Sequence, residues 1–102
     1  MNKRLMFLEQ HVAAGGADSF AFYGLAMEYR KEGRMDDAIA TFTKLRDKDP
    51  SYVPMYLMAG QTLIDGGRGA EAKSWLEAGI EVAKKKGDGH ALGELESALA
   101  SV

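Results

Sequence analysis

This sequence predicts an all-α fold of antiparallel helix pairs, five or six helices in number, from three observations. Apolar residues recur at helical spacing: Phe22, Leu25, Ala26 and Tyr29 stand at i, i+3, i+4 and i+7, one face of a helix. That stretch and its sequel then repeat. Phe22, Leu25, Ala26, Tyr29, Gly33, Ala38 and Phe42 have counterparts at Tyr56, Ala59, Gly60, Leu63, Gly67, Ala72 and Leu76, each 34 residues on. A fixed period of this size marks a repeat architecture. Finally, there are only two prolines, and the 12 glycines fall mostly between periodic segments, which suits helices better than a sandwich of strands.

Taken in order, residues 3 to about 14 read as a first helix, with Leu5, Leu8 and Val12 at i, i+3 and i+7. Gly15 and Gly16 end it, and Asp18 or Ser19 can cap the next. Residues 19–32 and 35–48 form a pair. Gly33 supplies the left-handed turn between them, and Ala38, Phe42 and Leu45 line the second member. Two helices joined by so short a turn must lie antiparallel and in contact. Pro50 forbids continuation and pushes Asp49 out of helical geometry. Residues 53–66 follow, with Pro54 tolerated in a first turn that needs no backbone donor. Their partner runs from 69 to about 86, where Lys84, Lys85 and Lys86 meet the negative end of the helix dipole before Gly87. Asp88 can cap a last helix carrying Leu92, Leu95 and Leu99. Trp75, next to Leu76, reads as half-buried against a neighbouring helix.

The first unit resembles the tetratricopeptide repeat, whose pattern is W-x2-L-G-x2-Y, then A-x3-F, then P. Here it reads Phe22-x2-Leu25-Ala26-x2-Tyr29, Ala38-x3-Phe42 and Pro50. The second reads Tyr56-x2-Ala59-Gly60-x2-Leu63 and Ala72-x3-Leu76, with Lys84 where the proline would fall. The resemblance implies a short right-handed superhelix forming one domain over residues 1–102. Its parts would be an N-terminal half-repeat helix (3–16), repeat 1 (19–52), repeat 2 (53–86) and a capping helix (88–102). It also implies a protein-interaction module or adaptor rather than an enzyme. First helices of such pairs line the concave surface. Removing the core positions leaves Phe20, Tyr23, Met27, Arg30 and Lys31 on one and Leu57, Gln61, Ile64 and Asp65 on the other. Family members that hold acidic chaperone tails use a lysine and asparagine clamp. Tyr23, Met27, Gly24 and Met58 stand in the clamp region here, so the expected groove is apolar. It suits a peptide segment, a partner helix, or a second copy in a homodimeric scaffold.

Other chemistry finds little support. Residues 67–74 (Gly67-Arg68-Gly69-Ala70-Glu71-Ala72-Lys73-Ser74) imitate a phosphate-binding loop, but both glycine-rich nucleotide motifs need a preceding strand, and residues 55–65 are helical by period. The segment reads as an inter-helix turn. His11 and His90 belong to no ligand cluster, and Asp36 and Asp37 offset a helix dipole. No catalytic, cofactor or metal site is expected. A net charge of -2 leaves no footprint for nucleic acid or an anionic membrane. The apolar run Leu5–Leu8 is shorter than the roughly 7–15 residues of a secretory core, and no stretch approaches the roughly 20 of a membrane span. With no cysteine and no address, a cytoplasmic location is the expectation.

The repeat makes Ala26, Gly60, Ala38 and Ala72 the small residues that let the paired helices approach closely. Ala38→Leu or Ala72→Leu should each overpack that contact and lower stability by about 1–3 kcal/mol, read from urea unfolding midpoints.

Overall fold

The computed structural model describes residues 1–102 and contains six α-helices and no strand. They are α1 (Lys3–Ala13), α2 (Ser19–Lys31), α3 (Met35–Lys48), α4 (Val53–Asp65), α5 (Gly69–Lys86) and α6 (Gly89–Leu99). No helix is long and apolar enough to cross a membrane. The chain divides into two compact units, Met1–Pro50 and Ser51–Val102.

In the first unit α2 and α3 form the antiparallel pair. Gly33 takes φ 74°, and the turn closes with the Arg34 amide donating to Tyr29 O at 2.9 Å and the Gly33 amide to Arg30 O at 3.1 Å. These bonds satisfy carbonyls that the helix end would otherwise strand. Asp18, not Ser19, caps α2, its carboxylate accepting from the Ala21 amide at 2.9 Å. The Ser19 hydroxyl instead donates to Asp49 at 2.7 Å, joining the start of α2 to the end of α3. Ala26, Ala38, Phe42 and Leu45 are fully buried, and Tyr23 tilts against Phe42 with centroids 6.3 Å apart. Phe22 and Tyr29 stay half-buried beside α1.

α1 docks on α2 by a different chemistry. Leu5 and Leu8 meet Leu25 in a small cluster flanked by Val12 and Tyr29. Around it, Glu28 is held by the Asn2 amide at 3.1 Å and the Arg4 guanidinium at 2.9 Å. Tyr29 donates to Glu9 at 2.6 Å while Arg34 lies over its ring, 4.6 Å from the centroid. The hydrogen bond from Asn2 lowers the Glu28 carboxyl below its ordinary pKa, with Lys31 and Arg4 acting the same way. Desolvation, then the bond to Glu9, pushes the Tyr29 phenol up to about 12.

The second unit repeats the turn 34 residues on. Gly67 takes φ 75°, the Arg68 amide donates to Leu63 O at 2.8 Å, and the Gly67 amide to Ile64 O at 3.0 Å. An arginine–carboxylate clip recurs as well. Arg34 bonds Asp37 at 2.9 Å, and Arg68 grips Glu71 with contacts of 2.8 and 2.6 Å. Helix α4 precedes Gly67 where a phosphate loop would need a strand, so residues 67–74 are the inter-helix turn and the start of α5. Gly60 and Gly79 set the α4/α5 spacing. A Cβ on Gly60 would come within 2.5 Å of Leu76 Cδ2, and one on Gly79 within 2.5 Å of Tyr56 Cβ and 3.0 Å of Leu95 Cδ2. Trp75 is 6% exposed rather than half-buried, because Tyr56 receives it at 6.0 Å between ring centroids. α6 then packs on both α4 and α5 through Leu95 and Ala98.

Two outcomes follow. Gly79→Ala should cost about 1–3 kcal/mol in urea unfolding, since the Tyr56 Cβ it meets belongs to the helix and cannot swing aside. Docking of α1 should weaken at both pH extremes. The lowered Glu28 pKa contributes stability that is complete above its ordinary 4.5 and lost as pH falls below that value. The raised Tyr29 pKa contributes stability complete below 10 and lost as pH climbs toward about 12. Hydrogen exchange of α1 amides in acid should show the first loss, which Glu28→Gln abolishes. Phenolate absorbance should show one tyrosine ionising near 12.

Candidate functional site

The nine residues expected on the first-helix faces are placed as follows. On α2, Phe20 is 70% exposed, Lys31 is exposed, and Tyr23, Met27 and Arg30 are half-buried. On α4, Leu57, Gln61 and Ile64 are half-buried and Asp65 is exposed. Four of the five apolar members are thus half-buried; only Phe20 is exposed.

The second unit turns part of its strip into a groove. Leu57 and Gln61 of α4 form one wall, and His90, Gly93, Glu94, Ser97 and Ala98 of α6 the other, with Gly89 and Ser101 at the ends. The space amounts to about 700 Å³. Helix α6 can build this wall because its buried residues, Leu95 and Ala98, and its half-buried Leu92 and Leu99 turn one side inward. The opposite side is left with small and polar groups at intervals of four: Gly89, Gly93, Ser97 and Ser101. A Cβ added at Gly89 or Gly93 would meet nothing within 4 Å. Its rim carries one polar contact, His90 Nε2 to Glu94 Oε1 at 3.2 Å. The α6 wall went unread in the sequence, although the four-residue spacing of its small residues was there to be seen.

The first unit has two smaller hollows. One, about 220 Å³, lies among Glu9, Val12, Phe22, Leu25, Tyr29 and Thr41; the other, at the N-terminus, is lined by Met1, Asn2, Lys3, Lys31 and Glu32. No three histidine, aspartate or glutamate side chains converge as metal ligands would. His11 stacks on Phe7 with centroids 6.1 Å apart. What the groove offers is surface: an aliphatic side chain, an amide, hydroxyls and open helix surface at the glycines.

The tetratricopeptide repeat family model matches residues 29–98. The crystal structure of a tetratricopeptide repeat domain protein from Salinibacter ruber is similar at TM-score 0.76 and 34% identity, covering 83% of this chain and 94% of that one. A Bordetella parapertussis protein solved in solution is similar at TM-score 0.84 and 27% identity, covering 99% and 88%. The type III secretion translocator chaperone SycD of Yersinia enterocolitica is similar at TM-score 0.76 and 26% identity, covering 83% and 64%. No curated protein sequence matches.

Proposed function

The chain belongs to the tetratricopeptide repeat family, a class of protein-interaction modules, and we propose that it holds a peptide segment or helix of a partner protein against its first helices. The observation that carries this reading is the α4/α6 groove, where Leu57 and Gln61 face open backbone at Gly93. A partner segment laid there would bury Leu57 and find hydrogen-bond partners in Gln61, Ser97 and Ser101. In the other unit, Phe20, Tyr23 and Met27 offer an apolar strip, with Arg30 and Lys31 adding positive charge at its end. The structural likeness to SycD, a type III secretion translocator chaperone, supports a protein partner. A scaffold or adaptor in the cytoplasm is the role we assign.

The test begins with a photo-crosslinker at Gln61, and the captured segment is then made as a peptide and titrated. Leu57→Glu, which places a charge in the groove, and Gly93→Leu, which fills it, should each weaken binding about tenfold or more at unchanged helical content. Tyr23→Glu probes the α2 strip by itself. An affinity indifferent to both groove substitutions would remove the groove from the binding site.

A further inference from the structure

The attachment of α1 has three features that belong together. Its contacts are concentrated on one helix: Leu8 reaches Gly24, Leu5 and Leu8 reach Leu25, Asn2 and Arg4 reach Glu28, and Glu9 reaches Tyr29. A docking surface supplied by a single helix can be met equally well by α2 of another molecule. Around the leucine cluster the seal is polar. Glu28, Tyr29 and Glu9 can be rehydrated when α1 lifts, so opening strands no buried charge in a dry interior. The connector offers a hinge ahead of the buried Ala17: Gly15 sits at φ 90°, and neither it nor Gly16 has anything within 4 Å of a Cβ position.

We propose that α1 is an exchangeable arm which swings on Gly15–Gly16 and docks on α2 of a second copy of this chain, giving a two-fold dimer. Every contact of the closed form is remade between copies, so exchange carries little enthalpic cost and is driven by concentration. A short glycine hinge can follow the open path as readily as the closed one, since glycine takes either sign of φ without steric cost. The inference does not rest on the groove, which lies in the other unit, and substitutions at Leu57 or Gly93 leave it untouched.

The decisive variant is Gly15→Ala with Gly16→Ala in the full chain. It creates five consecutive alanines from Ala13 to Ala17, a strong helix former, and penalises the positive φ that the closed turn needs. The connector should become helical, α1 should leave its own α2, and light scattering should show the mass doubling from 11.1 kDa. A monomer, with α1 amides either protected or unprotected, overturns the proposal. The second measurement keeps the native hinge and pairs Leu8→Cys with Gly24→Cys in a chain that has no other cysteine. That protein is concentrated, warmed below its unfolding transition, cooled and treated with a short thiol-bridging reagent. Exchange links different chains, giving a dimer band on a denaturing gel; monomer bands alone overturn the proposal even if the alanine variant fails to fold.

Discussion

Close approach of paired helices at small residues is the constraint on which the rest of this structure depends. Leu76 lies so near the Gly60 backbone that a single methyl there would collide with it, and Gly79 receives the Tyr56 side chain in the same manner. Ala26, Ala38, Ala59 and Ala72, all fully buried, play the equivalent part elsewhere in the pairs. Without these positions the large residues Phe42, Leu45, Leu63 and Leu76 could not interdigitate at native density. The turn geometry follows from this. Once the helices are antiparallel and close, a connector of three residues must reverse the chain, and Gly33 and Gly67 supply the backbone sign that the reversal needs.

Stability is distributed unevenly as a consequence. The α2/α3 and α4/α5 pairs are held by apolar packing, whose loss exposes hydrocarbon. α1 is held by three aliphatic side chains and a ring of charge-assisted hydrogen bonds. The arginine clips at Arg34 and Arg68 are exposed and contribute little each, yet they repeat at the same offset as the turns they follow. Packing thus sets which helices pair, and polar contacts set how firmly the N-terminal helix stays.

The pairs were legible in the sequence because the interactions that make them are periodic. Phe42, Leu45, Leu63 and Leu76 occupy the interior that their spacing anticipated, and helix starts fell within a residue of the caps expected. The α1 docking was half legible. Leu5, Leu8 and Val12 announced a face, but nothing at sequence separations of 20 and 26 announces that Glu9 will meet Tyr29 or Asn2 will meet Glu28. The burial of Trp75 was underestimated for a similar reason: its receptor is Tyr56 across the pair, and Gly79 one turn later makes the room. The groove was least legible, since one wall comes from the outward side of a helix whose inward leucines had drawn all the attention.

That outward side bears on where function resides. A glycine inside a helix costs about 1 kcal/mol relative to alanine. For Gly60 and Gly79 the cost is offset within the chain, because any larger residue would force the pair apart. No such return exists for Gly93, which stands in the middle of α6 with open space where its side chain would be. Alanine there would strengthen the helix without touching a neighbour. The fold therefore gives no reason for the residue, while the groove does, because each absent side chain brings α6 backbone within reach of whatever lies beside Leu57. Stability and binding make opposite demands at this one position. Under the proposed function the glycine satisfies the second at the expense of the first, and this is the physical argument for proposing the groove between α4 and α6 as the binding surface of the second unit.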